Sequence, residues 1–403
     1  MTRRLSLCYV APGHALLSTA GSARNMLSLA AALSQWADVT LAFRTLLEPI
    51  EPRKFNVITI EPQAAHTAQA QDDVALRGLN PLTHLSYLQR LHHFARQQAG
   101  TYDVVFEKGW RLSGFLLAAF RRYGVPGVLI ENDVRCWSER RHHPRALARY
   151  LAHRAAQGLA GFYSRRAPLV IAETDALKTV LIEQRGLLPQ QVEVVGLGVD
   201  HTLFHPRPQE AARARLGISP EPTVLLYVGG MDVYHDLTPL LEALAQVRLA
   251  SVELHLVGDG TQRPIYEAQA RRATIPVRFH GHVPHAAVPE FIAVADVCLA
   301  PYHADAFYHG QVTFSTLKIP EYMACGRPVI SIPSGALQRL IAHRVSGFLF
   351  PNDVLSWLSF LRALPDRSRL ASMGQQAAGA VQSISWERTA AQYLAVSQSL
   401  MAS

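Results

Sequence analysis

Apolar positions in the first half of the chain fall into two alternating patterns. Short, nearly continuous apolar runs at residues 5–10, 39–43, 55–60, 103–106, 125–130, 169–172 and 191–195 read as buried strands. Between them, helical periodicity covers residues 24–36, 81–98, 113–123, 140–166 and 174–184. In the first of these helices Met26, Leu27, Leu29, Ala30 and Leu33 share an apolar side. The second half repeats the alternation, with strands at 223–228, 252–257, 277–280 and 297–300 and helices at 237–246, 264–272 and 287–294. Strands apolar on both faces, separated by helices, predict parallel sheets covered on both sides. Two such series predict an α/β chain of two Rossmann-like doubly wound domains facing across a cleft. The expected division is an N-terminal domain at 1–203, a C-terminal domain at 204–384 and a final helix, 385–403, packing back on the first domain. The proline-marked stretch 204–222 reads as the linker.

Length agrees with this division, since 403 residues are too many for one ordinary core. The opening Met1-Thr2-Arg3-Arg4 and its apolar run look like a signal peptide only superficially. The run is short and Pro12-Gly13 ends it, so it reads as a first strand. No apolar run is long enough to span a bilayer. Cys8, Cys136, Cys298 and Cys325 show neither C-x-x-C nor metal-ligand spacing, which predicts a reducing, cytoplasmic setting. The net charge of +8 predicts an anionic partner such as a nucleotide phosphate or an acidic membrane face. No binding motif accompanies the charge, so nucleic acid is not expected.

Ligands of open parallel sheets sit at the carboxyl ends of the strands, so loops after strands carry the candidates. Ala11-Pro12-Gly13-His14, continuing through Thr19 and Ala20 to Gly21, and the loop Gly229-Gly230-Met231-Asp232 would let a phosphate approach backbone amides. The first is no G-x-G-x-x-G, and an ordinary strand-to-helix loop explains it equally well. The richest segment runs from Phe314-Ser315-Thr316-Leu317-Lys318 through Glu321 to Gly326-Arg327-Pro328. Lys318 and Glu321, three apart, share a helix face. Hydroxyls and an ammonium suit a diphosphate, and an ionised carboxylate suits a ribose diol. An exposed Lys–Glu helix pair is the plainer alternative.

At this segment the chain resembles glycosyltransferase family 4, retaining enzymes of the GT-B type. Other landmarks follow in the family's order: Gly196 to Asp200 with Phe204-His205-Pro206, Tyr227 to Gly230, Leu256 to Gly260, Phe279 to Val283, Ala295 to Pro301, Ser346 to Pro351, and Ser385 to Arg388. The resemblance implies that Glu321 binds ribose hydroxyls and that the loop at Val283 meets the base. Two departures stand out. Met231 and His235 occupy the stretch where the family usually has an arginine and a lysine, and Thr313 replaces a glutamate. Lys318, helped by Arg24, is expected to take over the phosphates, and backbone around Gly310 to Thr313 to meet the sugar. The expected donor-site set is therefore Gly21, Gly229, Gly230, Val283, Gly310, Thr313, Ser315, Thr316, Lys318 and Glu321, with Lys318 also catalytic.

Two strand ends in the first half carry charge a bare scaffold does not need, Glu107-Lys108 and Glu131-Asn132-Asp133. Glu107, Lys108, Glu131 and Asn132 are expected to bind the acceptor, with Glu131 as a catalytic base. His14 and Asp133 are weaker candidates, and capping of the following helices by Asn132 or Asp133 is the alternative. Residues 140–166 alternate cations with Leu147, Tyr150, Leu151, Leu159, Phe162 and Tyr163, a basic amphipathic pattern that fits an anionic membrane surface or a solvated face.

Together these imply a glycosyltransferase that moves a sugar from a nucleotide diphosphate sugar to a glycan or lipid-linked acceptor in polysaccharide or glycoconjugate biosynthesis. No cofactor and no metal are expected, and the protein is expected in the cytoplasm, peripheral on the inner membrane face. A non-catalytic nucleotide-sugar-binding assembly protein and an epimerase or hydrolase of the same fold are the alternatives.

Overall fold

The computed structural model describes residues 3–16, 21–47, 54–61, 81–132, 144–249, 251–307 and 310–402, without the side chains at 21–22, 81–84, 144–153 and 306. Thr19, Ala20, Asp133, Cys136, residues 140–143 and the side chains of Leu147, Tyr150 and Leu151 lie outside this description. The chain divides into two compact units, one of Met1–Gly198, Thr313–Ser315 and Trp386–Ser403, the other of Val199–Val312 and Thr316–Ser385.

The first unit runs β1 (Leu5–Leu16), α1 (Gly21–Leu33), β2 (Ala37–Leu46), β3 (Asn56–Thr59), α2 (Pro81–Gln98), β4 (Val104–Lys108), α3 (Phe115–Arg121), β5 (Gly127–Glu131), α4 (Pro144–Ser164), β6 (Leu169–Ala172), α5 (Asp175–Arg185) and β7 (Val192–Val194). The second runs α6 (Gln209–Arg215), β8 (Thr223–Val228), α7 (Thr238–Val247), β9 (Val252–Val257), α8 (Arg263–Ala273), β10 (Val277–Gly281), α9 (Val288–Val294), β11 (Val297–Ala300), α10 (Lys318–Ala324), β12 (Val329–Ser331), α11 (Leu337–Leu340), β13 (Gly347–Leu349), α12 (Val354–Arg362) and α13 (Arg367–Val381). A last helix, α14 (Trp386–Ala402), belongs to the first unit, where Tyr393 meets the Phe106 ring at 5.2 Å.

Both sheets are parallel, with orders β3-β2-β1-β4-β5-β6-β7 and β10-β9-β8-β11-β12-β13. Each order reverses beside its unit's first strand, between β1 and β4 and between β8 and β11. Central strands such as β8 and β11 are buried on both faces, the reason their sequences are unbroken apolar runs.

Three sequence expectations need correction. Strand β1 does not stop at Pro12-Gly13; its ladder with β2 skips between Ala11 and Ala15 and resumes to Leu16. A proline, lacking an N–H, is tolerated where the ladder is interrupted. Strands β4 and β5 run on to include Glu107, Lys108 and Glu131, all buried. The stretch 204–222 is folded into the second unit, since it contains α6, whose Ala212 packs with Val224 and Val294. Helices α11, α12 and α13 and strand β13 were not anticipated.

Candidate functional site

In the second unit the sheet order reverses between β8 and β11, where a crevice opens at the carboxyl edge of such sheets. The chain leaves β8 through Gly229 at φ 146°, a conformation that favours glycine. A Cβ at Gly229 would stand 2.6 Å from Nζ of Lys318, so only glycine lets this ammonium approach the backbone. Beside it Gly258, at φ 125°, lets β9 end against the Gly229 carbonyl, a place any Cβ would fill. The Gly229 N–H donates to Val257 O at 2.9 Å.

Lys318 opens α10 and is half-buried. Its Nζ donates to the Tyr227 hydroxyl at 3.2 Å and stands 4.4 Å from the Tyr227 ring centre and 5.9 Å from that of Tyr302. Burial lowers its pKa to about 7, against the opposing pull of Asp232 and Glu321. The Asp232 Oδ1 accepts from Tyr234 N–H and from His235 Nδ1, both at 2.9 Å. Burial pushes the Asp232 carboxyl up, but the His235 bond and charge outweigh it and leave its pKa lowered. Burial and the charge of Lys318 hold His235 down to about 4, so it is a neutral imidazole donating to Asp232 at neutral pH. His235 therefore adds no cation here, and Met231 is wholly buried in the core. Lys318 carries the positive charge of this corner.

Tyrosines fix the corner's geometry. The Tyr322 hydroxyl donates to Val228 O at 3.0 Å and accepts from Val228 N–H at 2.7 Å, tying α10 to the end of β8. Tyr302 donates to Thr316 Oγ1 at 3.0 Å, which makes Thr316 a buried, engaged hydroxyl. One turn beyond Lys318, the half-buried Glu321 places Oε1 3.7 Å from Nε2 of His285, whose ring meets Phe204 edge-on at 5.3 Å. Sequence reasoning did not single out Tyr302, Tyr322 or His285. The available signal was a tyrosine in an apolar segment, whose hydroxyl must find a partner when buried.

The structure thus brings Gly229, Gly230, Lys318, Glu321 and Thr316 into one unit, with Val283 in the loop from β10 to His285. Gly310, at φ 68°, belongs to a loop pinned by Ser334, whose hydroxyl donates to Gly310 O at 3.0 Å and accepts from Val312 N–H at 2.8 Å. Thr313 and Ser315 group with the first unit, where Thr313 O accepts from the Thr174 hydroxyl. Gly21 opens α1 there, and Arg24 and His14 are half-buried in the same unit.

The charged strand ends of the first unit turn inward, so Glu107, Lys108 and Glu131, expected to face an acceptor, lie buried within their strands. Glu107 is fully buried and accepts from Trp110 Nε1 at 2.7 Å, Gly114 N–H at 2.9 Å and Leu117 N–H at 2.8 Å. It caps the start of α3, and burial raises its pKa to about 7 against those three donors. Lys108 is buried too, its pKa lowered by burial against the pull of Glu173 and Glu131. Glu131, expected as acceptor ligand and base, pairs with Arg185 inside the protein. Asn132 stays half-buried at the rim; its Nδ2 donates to Glu173 and its Oδ1 has no hydrogen-bond partner among the described residues. Among the described residues no group of three or more His, Cys, Asp or Glu is placed to hold a metal ion, and no helix is long and apolar enough to cross a membrane.

Comparison with known proteins agrees with this architecture. Residues 222–364 match the family model described as Glycosyl transferases group 1. The D-inositol 3-phosphate glycosyltransferase of Nocardioides sp. is 30% identical over 333 residues, covering 75% of this chain and 68% of that protein. The one from Thermobispora bispora is 29% identical over 316 residues, covering 74% and 70%. Among solved structures, a sucrose-phosphate synthase from Thermosynechococcus elongatus superposes with a TM-score of 0.77 at 21% identity, over 99% of this chain and all of that one. Anabaena Alr3699/HepE, solved with UDP-glucose, gives 0.71 at 20% identity over 97% of this chain and all of that one. The fold is GT-B, and the sequence relationship makes the chain a glycosyltransferase: it belongs to the group 1 glycosyl transferases.

Proposed function

We propose that this glycosyltransferase takes its sugar from a nucleoside diphosphate sugar bound in the second unit and passes it, with retention, to a glycan or lipid-linked acceptor. The observation that carries the reading is the half-buried ammonium of Lys318 held against Gly229 where the β8–β11 order reverses. An ammonium there, with the amides of the Gly229 loop, favours the charge that develops on a departing diphosphate. Glu321, on the same face of α10, is spaced to accept hydrogen bonds from a ribose diol, and Val283 lies in the loop assigned to the base. The backbone at Gly310 remains on the sugar side, and the Thr316 hydroxyl, held by Tyr302, on the diphosphate side. The solved relative that binds UDP-glucose makes a uridine donor the first to test.

Thermal unfolding against a panel of nucleoside diphosphates and their sugars, for wild type and Glu321→Ala, tests the site. A ligand at 100 times its dissociation constant stabilises by about 2.7 kcal/mol. One nucleotide should raise the midpoint in the wild type and not in the variant. A well-folded protein that no nucleotide stabilises would remove the donor site.

A second reading concerns location, at the inner face of a membrane. Its support is the outer face of α4, where Leu159 and Phe162 are 50% and 42% exposed beside exposed Arg154, Arg165 and Arg166. A helix with apolar side chains among arginines suits an anionic bilayer surface.

A further inference from the structure

The first unit has its own switch point, between β1 and β4, and one side chain there is fixed more firmly than its exposure requires. Trp110 lies two residues beyond the last ladder pair of β4 and is only half-buried. Its Nε1 is already bonded to the buried Glu107, at 2.7 Å. Its Cβ packs so close to Gly13 on β1 that a methyl group there would stand 2.8 Å away. Tyr87 meets its ring edge-on at 6.1 Å, and the Tyr87 hydroxyl is held by Pro12 O. Its backbone is closed by Ser113, which accepts from Trp110 N–H at 3.0 Å and donates to Trp110 O at 2.8 Å. An indole whose N–H is satisfied internally has only its apolar, electron-rich face left to offer.

Asn132 occupies the matching place on β5. Lys108 pairs with Ile130, so Trp110 and Asn132 each stand two residues past that pair on adjacent strands. The Asn132 amide nitrogen is taken by Glu173, which leaves Oδ1 as a buried acceptor with no donor among the described residues. Buried polar atoms without partners are uncommon, and this one sits at the carboxyl edge of the sheet where ligands bind.

We infer that Trp110 and Asn132 form a carbohydrate subsite of the first unit, in which a pyranose or cyclitol ring of the acceptor lies on the indole face and one of its hydroxyls donates to Asn132 Oδ1. The C–H bonds of such a ring face the negative face of an aromatic system, and its hydroxyls supply the donor that Oδ1 lacks. The inward-turned charges gain a purpose in this arrangement: Glu107 holds the indole by its N–H, and Glu173 holds the Asn132 amide by its nitrogen. The inference rests on the reading that the second unit holds the donor, leaving the first unit for the acceptor.

Saturation-transfer NMR tests it, with methyl α-glycosides of glucose, galactose, mannose and N-acetylglucosamine and with myo-inositol as probes. Wild type, Trp110→Phe, Trp110→Leu and Asn132→Ala are compared with UDP present. At least one probe should show transfer concentrated on the C–H groups of one ring face. Trp110→Leu should weaken its binding at least tenfold, Trp110→Phe should keep it within about threefold, and Asn132→Ala should reduce transfer without moving it to the other face. Should Trp110→Leu fail to fold, Asn132→Ala decides. Wild-type protein that UDP stabilises but that binds no probe overturns the subsite alone, as does undiminished binding in Trp110→Leu or Asn132→Ala. Loss of UDP stabilisation in the wild type would instead strike at the donor reading.

Discussion

Lys318 is a cation that its surroundings come close to neutralising. Burial brings its pKa to about 7, so around neutral pH the side chain is divided between ammonium and amine before a ligand binds. A bound diphosphate favours the ammonium, which means that above pH 7 binding must take up a proton. The direction follows: affinity for a sugar-capped diphosphate, which has no proton to lose in this range, should be flat below pH 7 and fall above it. The fall approaches tenfold per pH unit as the amine form becomes dominant. Calorimetric titration of UDP-glucose at pH 6.5, 7.5 and 8.5, in buffers of different ionisation heat, reads both the slope and the proton. Lys318→Met should bind weakly at every pH with no slope, and a pH-independent wild type would rule out the lysine as the phosphate cation. Glycine at 229 is the companion requirement, because the lysine stands where a side chain would be.

At the level of elements, stability and chemistry lie at opposite edges of the second sheet. Asp296, just before β11, accepts from Arg213 Nη2 and from Val224 N–H, both at 2.7 Å, and from Gln209 Nε2 at 3.2 Å, so it ties α6 to the start of β8. Its side chain and that of Arg213 are both nearly inaccessible. Asp296→Ala strands a buried guanidinium and should cost about 3–5 kcal/mol. Urea unfolding measures this loss, while the dissociation constant for nucleotide should hold, since the Gly229 loop is at the other end of β8. A small loss would mean that the pair is solvated. The same contrast explains what was legible. Strands β6, β8 and β11 were readable to the residue because apolar runs have no other use in a short segment, and β9 because Glu253 and His255 alternate with apolar residues. The ends of β4 and β5 were misread because Glu107, Lys108 and Glu131 look like solvent-facing charges along the sequence. Only three-dimensional neighbours, Arg185, Glu173 and the α3 amides, let them stay inside the strands. Residues 204–222 looked like a linker for a related reason: polar side chains there, Arg213 above all, are spent on buried partners. Lys318 and Glu321 stand out as candidates from spacing and resemblance. The tyrosines that hold them do not, because nothing in a local pattern says where a hydroxyl will reach.

For the whole molecule, the net charge of +8 matters through where it is exposed. Arg121 and Arg122 at the end of α3 stand near the end of α4, where Arg121 Nη1 donates to Arg166 O at 3.2 Å. Arg166 in turn lies 3.5 Å from the Phe162 ring centre. With Arg154 and Arg165 this makes five exposed arginines around two exposed apolar side chains, Leu159 and Phe162. Each cation near an anionic leaflet is worth about 1 kcal/mol at physiological salt, an attraction that falls away within a Debye length. Apolar insertion adds a part that salt does not screen. Co-sedimentation with vesicles separates the two. Binding to phosphatidylglycerol-containing vesicles should be clear at 50 mM salt and at least tenfold weaker at 500 mM, and pure phosphatidylcholine should bind little. Arg121→Ser with Arg166→Ser, two of the five arginines, should weaken low-salt binding by up to about thirtyfold, and Leu159→Ser with Phe162→Ser should remove what survives at high salt. Both pairs lie on the outer surface of the first unit, so UDP should still stabilise the variants as it does the wild type. Equal binding to neutral vesicles, or no binding to anionic ones at low salt, would return this face to the solvent.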